Sequence, residues 1–136
     1  MGLIDRITDV PGNAPGNGYS HAVTVTGRLA FVSGQVAMDA DGKLVGDHYI
    51  GVQTEQALEN LHRVLTVLGA DWPDVVKLTW FVMDTTHLPE LREARDRVLR
   101  PALGDRPNPA SSLVQVAGLF RPGFLVEVEA VVALQD

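Results

Sequence analysis

Glu127 and Glu129, set into the apolar run VEVEAVV of Val126–Val132, are the residues of this chain best placed to do chemistry. Side chains on a strand alternate between two faces. Val126, Val128, Ala130 and Val132 therefore share one side, and Glu127 and Glu129, flanked by Leu125 and Val131, share the other. A carboxylate in such a run is costly to bury without a partner. Two on one side of a strand can approach, so that one is driven to keep its proton and becomes suited to acid or base work. The structural alternative is that they hydrogen-bond to neighbouring backbone at a subunit seam. Other reactive types are sparse. The chain has no cysteine, which removes disulfides, thiol catalysis and thiolate metal sites. His48, His62 and His87 have no metal-ligand spacing, so no metal is expected. No glycine-rich stretch has dinucleotide or P-loop spacing. Ser111 and Ser112 are polar, but neither has a matched histidine and acid to make it a nucleophile.

The elements that must carry these residues follow from periodicity. Residues 1–17 are rich in Gly, Pro, Asn and Asp and read as an extended arm lying on a single domain of residues 18–136. Strands are predicted over Tyr19–Thr26 and Leu29–Met38, the second interrupted at Ser33-Gly34-Gln35. A glycine inside a strand marks a bulge or a close approach by another group. Ala57, Leu58, Leu61, Val64, Leu65 and Leu68 recur at three- and four-residue spacing, giving a helix over Gly51–Gly69 that Gly69 ends. Val75–Met83 is β-branched and aromatic and reads as a strand. A second helix has Thr86 as its expected N-cap, Pro89 in its first turn, a stripe of Leu88, Leu91, Ala94, Val98 and Leu99, and Pro101 as its stop. Arg92, Arg95, Arg97 and Arg100 on that helix interleave with Glu90, Glu93 and Asp96 and read as a solvated face. The chain then closes with strands Ser111–Leu119 and Phe124–Ala133, taken as a hairpin turning at Arg121, Pro122 and Gly123. Two helices on one face of a mixed sheet is the economical α+β arrangement. Val23, Val25, Val114, Val116, Val126 and Val128 supply more apolar strand surface than two helices cover, which points to self-association.

Length and composition bound the rest. With 136 residues, 46% hydrophobic and 21% charged, the chain suits one globular domain with its own core. A net charge of −6 without a basic stripe argues against nucleic acid and anionic membranes as partners. The N-terminus lacks a signal-peptide core, and no apolar run is long enough to span a bilayer, so a cytoplasmic location is expected.

Gly18-Tyr19-Ser20, the segments Phe31–Gly46 and Glu55–Asp84, then VQVAGL at Val114–Leu119 and VEVEAVV at Val126–Val132, resemble the RidA/YjgF family in order and spacing. The resemblance implies a chorismate-mutase-like α+β fold, a homotrimer with clefts between subunits, and cofactor-independent hydrolysis of small imines or enamines to ketoacids and ammonia. Carried over by position, Glu127 would orient the attacking water. Tyr19 falls on a cleft tyrosine, and Ser33 and Gly34 fall on a segment whose backbone holds substrate. Ser111, Ser112, Leu113, Arg92 and Glu129 complete the expected substrate contacts. Where the family pattern is Pro-Ala-Arg-Ser, this chain reads Pro109-Ala110-Ser111-Ser112. Ser111 thus replaces the arginine that grips a substrate carboxylate, and a hydroxyl cannot replace a bidentate guanidinium. Arg92, Arg106 and Arg121 are the sequence candidates to restore that charge. The alternative function is a non-catalytic trimer that binds a small metabolite or regulates.

Overall fold

A computed structural model describes residues 3–16 and 18–134. Residues 1, 2 and 17 of the expected arm lie outside the described residues. The elements are β1 (Ile4–Ile7), β2 (Ala22–Val25), β3 (Leu29–Val36), α1 (Ile50–Val67), a 3-10 turn at Trp72–Asp74, β4 (Val75–Val82), α2 (Leu88–Leu103), β5 (Ala110–Gln115) and β6 (Val126–Ala133). The arm is thus not merely extended. Its β1 pairs antiparallel with β2, Ile4 opposite Val25 and Ile7 opposite Ala22.

The main sheet runs in the order β3-β6-β4-β5, with β6 antiparallel to both neighbours and β4 parallel to β5. This corrects the expected hairpin: β5 and β6 are not paired, because β4 lies between them. The 116–125 link spans that gap, and its Val116 N–H already donates to Val82 O at the end of β4. Both helices pack on the face made by Val126, Val128, Ala130 and Val132, each 4% exposed or less. Leu58, Leu61 and Leu65 of α1 and Leu91, Leu99 and Leu103 of α2 meet Leu78 and Trp80 of β4 there. Because Val126 and Val128 lie under the helices, they do not belong to the uncovered surface. On the open face the exposed apolar groups include Leu29 and Phe31 of β3, the latter 78% exposed, and Val114 of β5.

Helix α1 ends as its sequence directs. Gly69 takes φ +73°, its N–H donates to Thr66 O, and Ala70 N–H donates to Leu65 O, the paired bonds of a Schellman cap. Helix α2 departs from expectation at both ends. Thr86 does not cap it: its hydroxyl and N–H both donate to Asp84 Oδ1, at 2.6 and 2.8 Å, and His87 holds the N-cap position. Pro101 does not stop it either. A proline in the last turn forfeits one helical hydrogen bond, whereas carrying the turn on to Leu103 buries that side chain in the core before Gly104 ends the helix.

Candidate functional site

Glu127 stands on the open face of β6, opposite Phe81 of β4, which in turn lies opposite Val114 of β5. On its other side it lies opposite Val36 of β3, just past the irregular part of that strand. Val32 pairs with Ala130 and Gln35 with Val128, so Ser33 and Gly34 together face the single residue Glu129. That bulge sets the Gly34 backbone beneath Glu127. A Cβ at Gly34 would sit 2.8 Å from Glu127 Cγ and 2.5 Å from Cδ, and nearer still to Oε2. Both readings of the interrupted strand therefore apply, a bulge and a close approach.

The Glu127 carboxyl is held above the usual carboxylate range, first by partial burial and then by the negative charge of Glu129. Glu129 lies two residues along the same strand, roughly 7 Å away at the backbone. Among the described residues no side chain or backbone N–H donates to Glu127. An acid on an open face, partly dehydrated and without a donor, can take a proton from water and return it.

The other expected site residues divide into groups. Ser33, Gly34 and Glu129 adjoin Glu127 directly. Ser112 lies opposite Thr79, itself opposite Glu129, and so shares the open face. Ser111 and Leu113 lie opposite Leu78 and Trp80, on the helix side, where Leu113 packs against the core. Arg92 is exposed on α2, with the sheet between it and Glu127. Arg121 donates to Gly42 O at 2.7 Å and lies over the Phe120 and Phe124 rings. Arg106 donates to Leu103 O. Tyr19 precedes Ser20, which bridges Ala110 beyond the β5 edge. It is therefore about three strand spacings, roughly 14 Å, from Glu127 of its own protomer, before any offset along the strands.

Sequence reasoning missed a second group around Tyr19. Arg95, on the helix face that its charged neighbours mark as solvated, is only 9% exposed. It lies four residues after Leu91 and one after Ala94, at the edge of the apolar stripe, and that spacing was the available signal. Its guanidinium packs against Gly18, where a Cβ would fall 2.8 Å from Cζ. Buried Asn108 ties the same loop down. Its Nδ2 donates to Gly18 O at 2.9 Å, its carbonyl accepts from Ser20 Oγ at 2.5 Å, and its Oδ1 accepts from Arg100 Nη2. Elsewhere a cleft of about 540 Å³ lies at the N-terminal ends of α1 and α2, lined by Tyr49, Glu55, Asp84, Glu90 and Arg97 among others. Among the described residues no three His, Asp or Glu side chains gather as a metal site, and no helix is long and apolar enough to cross a membrane.

The family model described as Endoribonuclease L-PSP matches residues 11–134. Protein DfrA of Myxococcus xanthus is 34% identical over 83% of this chain and 82% of its own length. The human 2-iminobutanoate/2-iminopropanoate deaminase is 33% identical over 95% of this chain and 90% of its own. Among solved structures, YyfB of Yersinia pestis, described as a protein of unknown function of the conserved Rid family, is 34% identical. It superposes with a TM-score of 0.83 over 95% of this chain and 98% of its own.

Proposed function

Because the chain belongs to the RidA/YjgF family, we propose that it hydrolyses a small imine or enamine without a cofactor, with Glu127 as the group that orients and deprotonates water. One observation carries this reading: the Glu127 carboxyl, its pKa raised by burial and by Glu129, lies against the Gly34 backbone with no donor among the described residues. An imine carbon is already electrophilic, so a positioned water and a base suffice. Water oxygen adds to that carbon as Glu127 takes one of its protons and passes it to the imine nitrogen, giving a carbinolamine. Transfer of the hydroxyl proton to that nitrogen by the same carboxylate, as C–N breaks, releases ammonia and leaves the ketone. An enamine enters the same path after protonation at carbon. The names of the deaminase relatives favour this chemistry. The endoribonuclease description gains no support from a chain of net charge −6.

The complete site is proposed to form between subunits of a homotrimer. Phe31 and Val114 leave apolar surface on the face that carries Glu127. Tyr19 lies too far from its own Glu127 to share a small substrate with it, so it would serve a neighbour's carboxylate. The Ser33-Gly34 backbone, Ser112 and Glu129 would line the cleft beside Glu127, whereas Ser111, Leu113 and Arg92 lie on the helix side of the sheet, away from it. Glu127→Gln keeps the shape and removes the base. Ammonia release from freshly generated imines should be lost in that variant while sedimentation still reports the wild-type assembly. Full activity in Glu127→Gln would end the water-activating role.

A further inference from the structure

A pocket of about 390 Å³ lies between α2 and the loop residues Gly16, Gly18 and Tyr19, lined also by Thr8, Arg95, Asp96, Arg100 and Asn108 among others. We propose that this pocket binds a small carboxylate, held by the guanidinium of Arg95 with Arg100 and the Tyr19 hydroxyl completing the site. The assignment goes beyond the hydrolytic reading of Glu127: it shares Tyr19 with the proposed intersubunit cleft, but binding here requires no turnover there.

Arg95 is the central observation. The residue as a whole is buried, and since no fully buried side-chain nitrogen among the described residues lacks a partner, the donors of Arg95 that bond to no protein group open onto the pocket. Its Nε donates to Asp96 Oδ1 at 2.9 Å. Nη1 and Nη2, which pack against Gly18, find no acceptor among the described residues. Those two N–H groups form the planar fork that matches two carboxylate oxygens. Arg100 is steadied by Arg106 O and Asn108 Oδ1 and adds a second positive charge to the same wall. Two arginines against Asp96 leave the lining with one net positive charge, which suits a monocarboxylate better than a doubly charged phosphate. The loop is built for this approach. Gly18, at φ +79°, has no side chain to displace the guanidinium, and the Tyr19 ring lies so close to Gly16 that a Cβ there would be 3.1 Å from two ring carbons. The volume fits a metabolite of a few carbons. This chain thus has a carboxylate-binding arginine on α2, where neither Ser111 nor the exposed Arg92 supplies one.

Calorimetric titration of the full-length protein with pyruvate, with methyl pyruvate as the uncharged analogue, tests the assignment. Pyruvate should bind, and the ester should bind about tenfold more weakly or not at all. Arg95→Gln and Arg100→Gln should each weaken pyruvate about tenfold, with Arg95→Lys intermediate because an ammonium lacks the fork. Should Arg95→Gln fail to fold, Arg100→Gln and the ester comparison still decide. Equal binding of acid and ester, no pyruvate binding at millimolar concentration, or arginine variants that bind like wild type would each overturn the proposal. So would inorganic phosphate binding in preference to pyruvate. Pyruvate binding that survives Arg95→Gln but vanishes in Glu127→Gln would place the carboxylate at Glu127 and overturn it as well. The titration needs no turnover, so an inactive enzyme and an empty pocket give separate results.

Discussion

The Glu127 carboxylate occupies the space that a side chain on Gly34 would need: a Cβ built there falls 2.5 Å from Glu127 Cδ. Strand β3 therefore serves the carboxylate by what it lacks. Its bulge brings backbone, rather than a side chain, against the acid. Gly34→Ala should displace the Glu127 side chain or open the bulge, costing about 1–3 kcal/mol in the manner of an overpacked contact. Deaminase activity should fall much further than the loss of folded protein explains. Chemical denaturation and ammonia release on the same preparation check this, and unchanged turnover would show that the carboxylate position is uncritical.

The raised pKa of Glu127 fixes the sign of two pH effects. A base works when ionised, so kcat/KM should rise with pH through a value above the ordinary carboxylate range. For stability the sign is opposite. Between the unfolded pKa and the raised folded one, the native state holds more protons than the unfolded state, so this group's contribution declines as pH rises through that window. Glu129→Gln removes the neighbouring negative charge and should shift the acid limb of the rate profile to lower pH. An unmoved limb would mean that another group titrates there.

Phe31 is 78% exposed on the face that bears Glu127, opposite Val131. Burying such a side chain contributes about 1.5–3 kcal/mol per copy. Phe31→Glu should yield a smaller species by analytical ultracentrifugation, with far-UV circular dichroism unchanged and deaminase activity lost. An unaltered assembly would show that this face is not the contact between subunits.

Asn108 joins the 18–20 loop to the start of β5 through Gly18, Ser20 and Arg100. Asn108→Ala leaves the Gly18 carbonyl without its donor and removes one of the two acceptors of Arg100 Nη2, the Arg106 carbonyl remaining. The expected cost is about 1–3 kcal/mol, read as a lowered denaturation midpoint at an unchanged slope. Proteolysis within the Gly-rich 11–18 stretch should quicken in the same variant.

Much of this molecule is legible along the chain because its causes are local. Alternation fixes which side of β6 carries Val126, Val128, Ala130 and Val132 and which carries the two glutamates. The stripe from Ala57 to Leu65 and the left-handed Gly69 define α1 and its end. Family motifs, in order and spacing, carry the α+β architecture. Tertiary structure decided what depends on pairing between distant segments. Adjacent strands in sequence read as a hairpin, yet β4 separates β5 from β6, pairing parallel with the one and antiparallel with the other, and its Leu78 and Trp80 are buried in the core. The meeting of Gly34 with Glu127 exists only once β3 and β6 lie side by side. Arg95 looks like any surface arginine of a charged helix until the Gly18 loop folds over it. Burial of a side chain belongs to whatever packs against it, and that partner is distant in the chain.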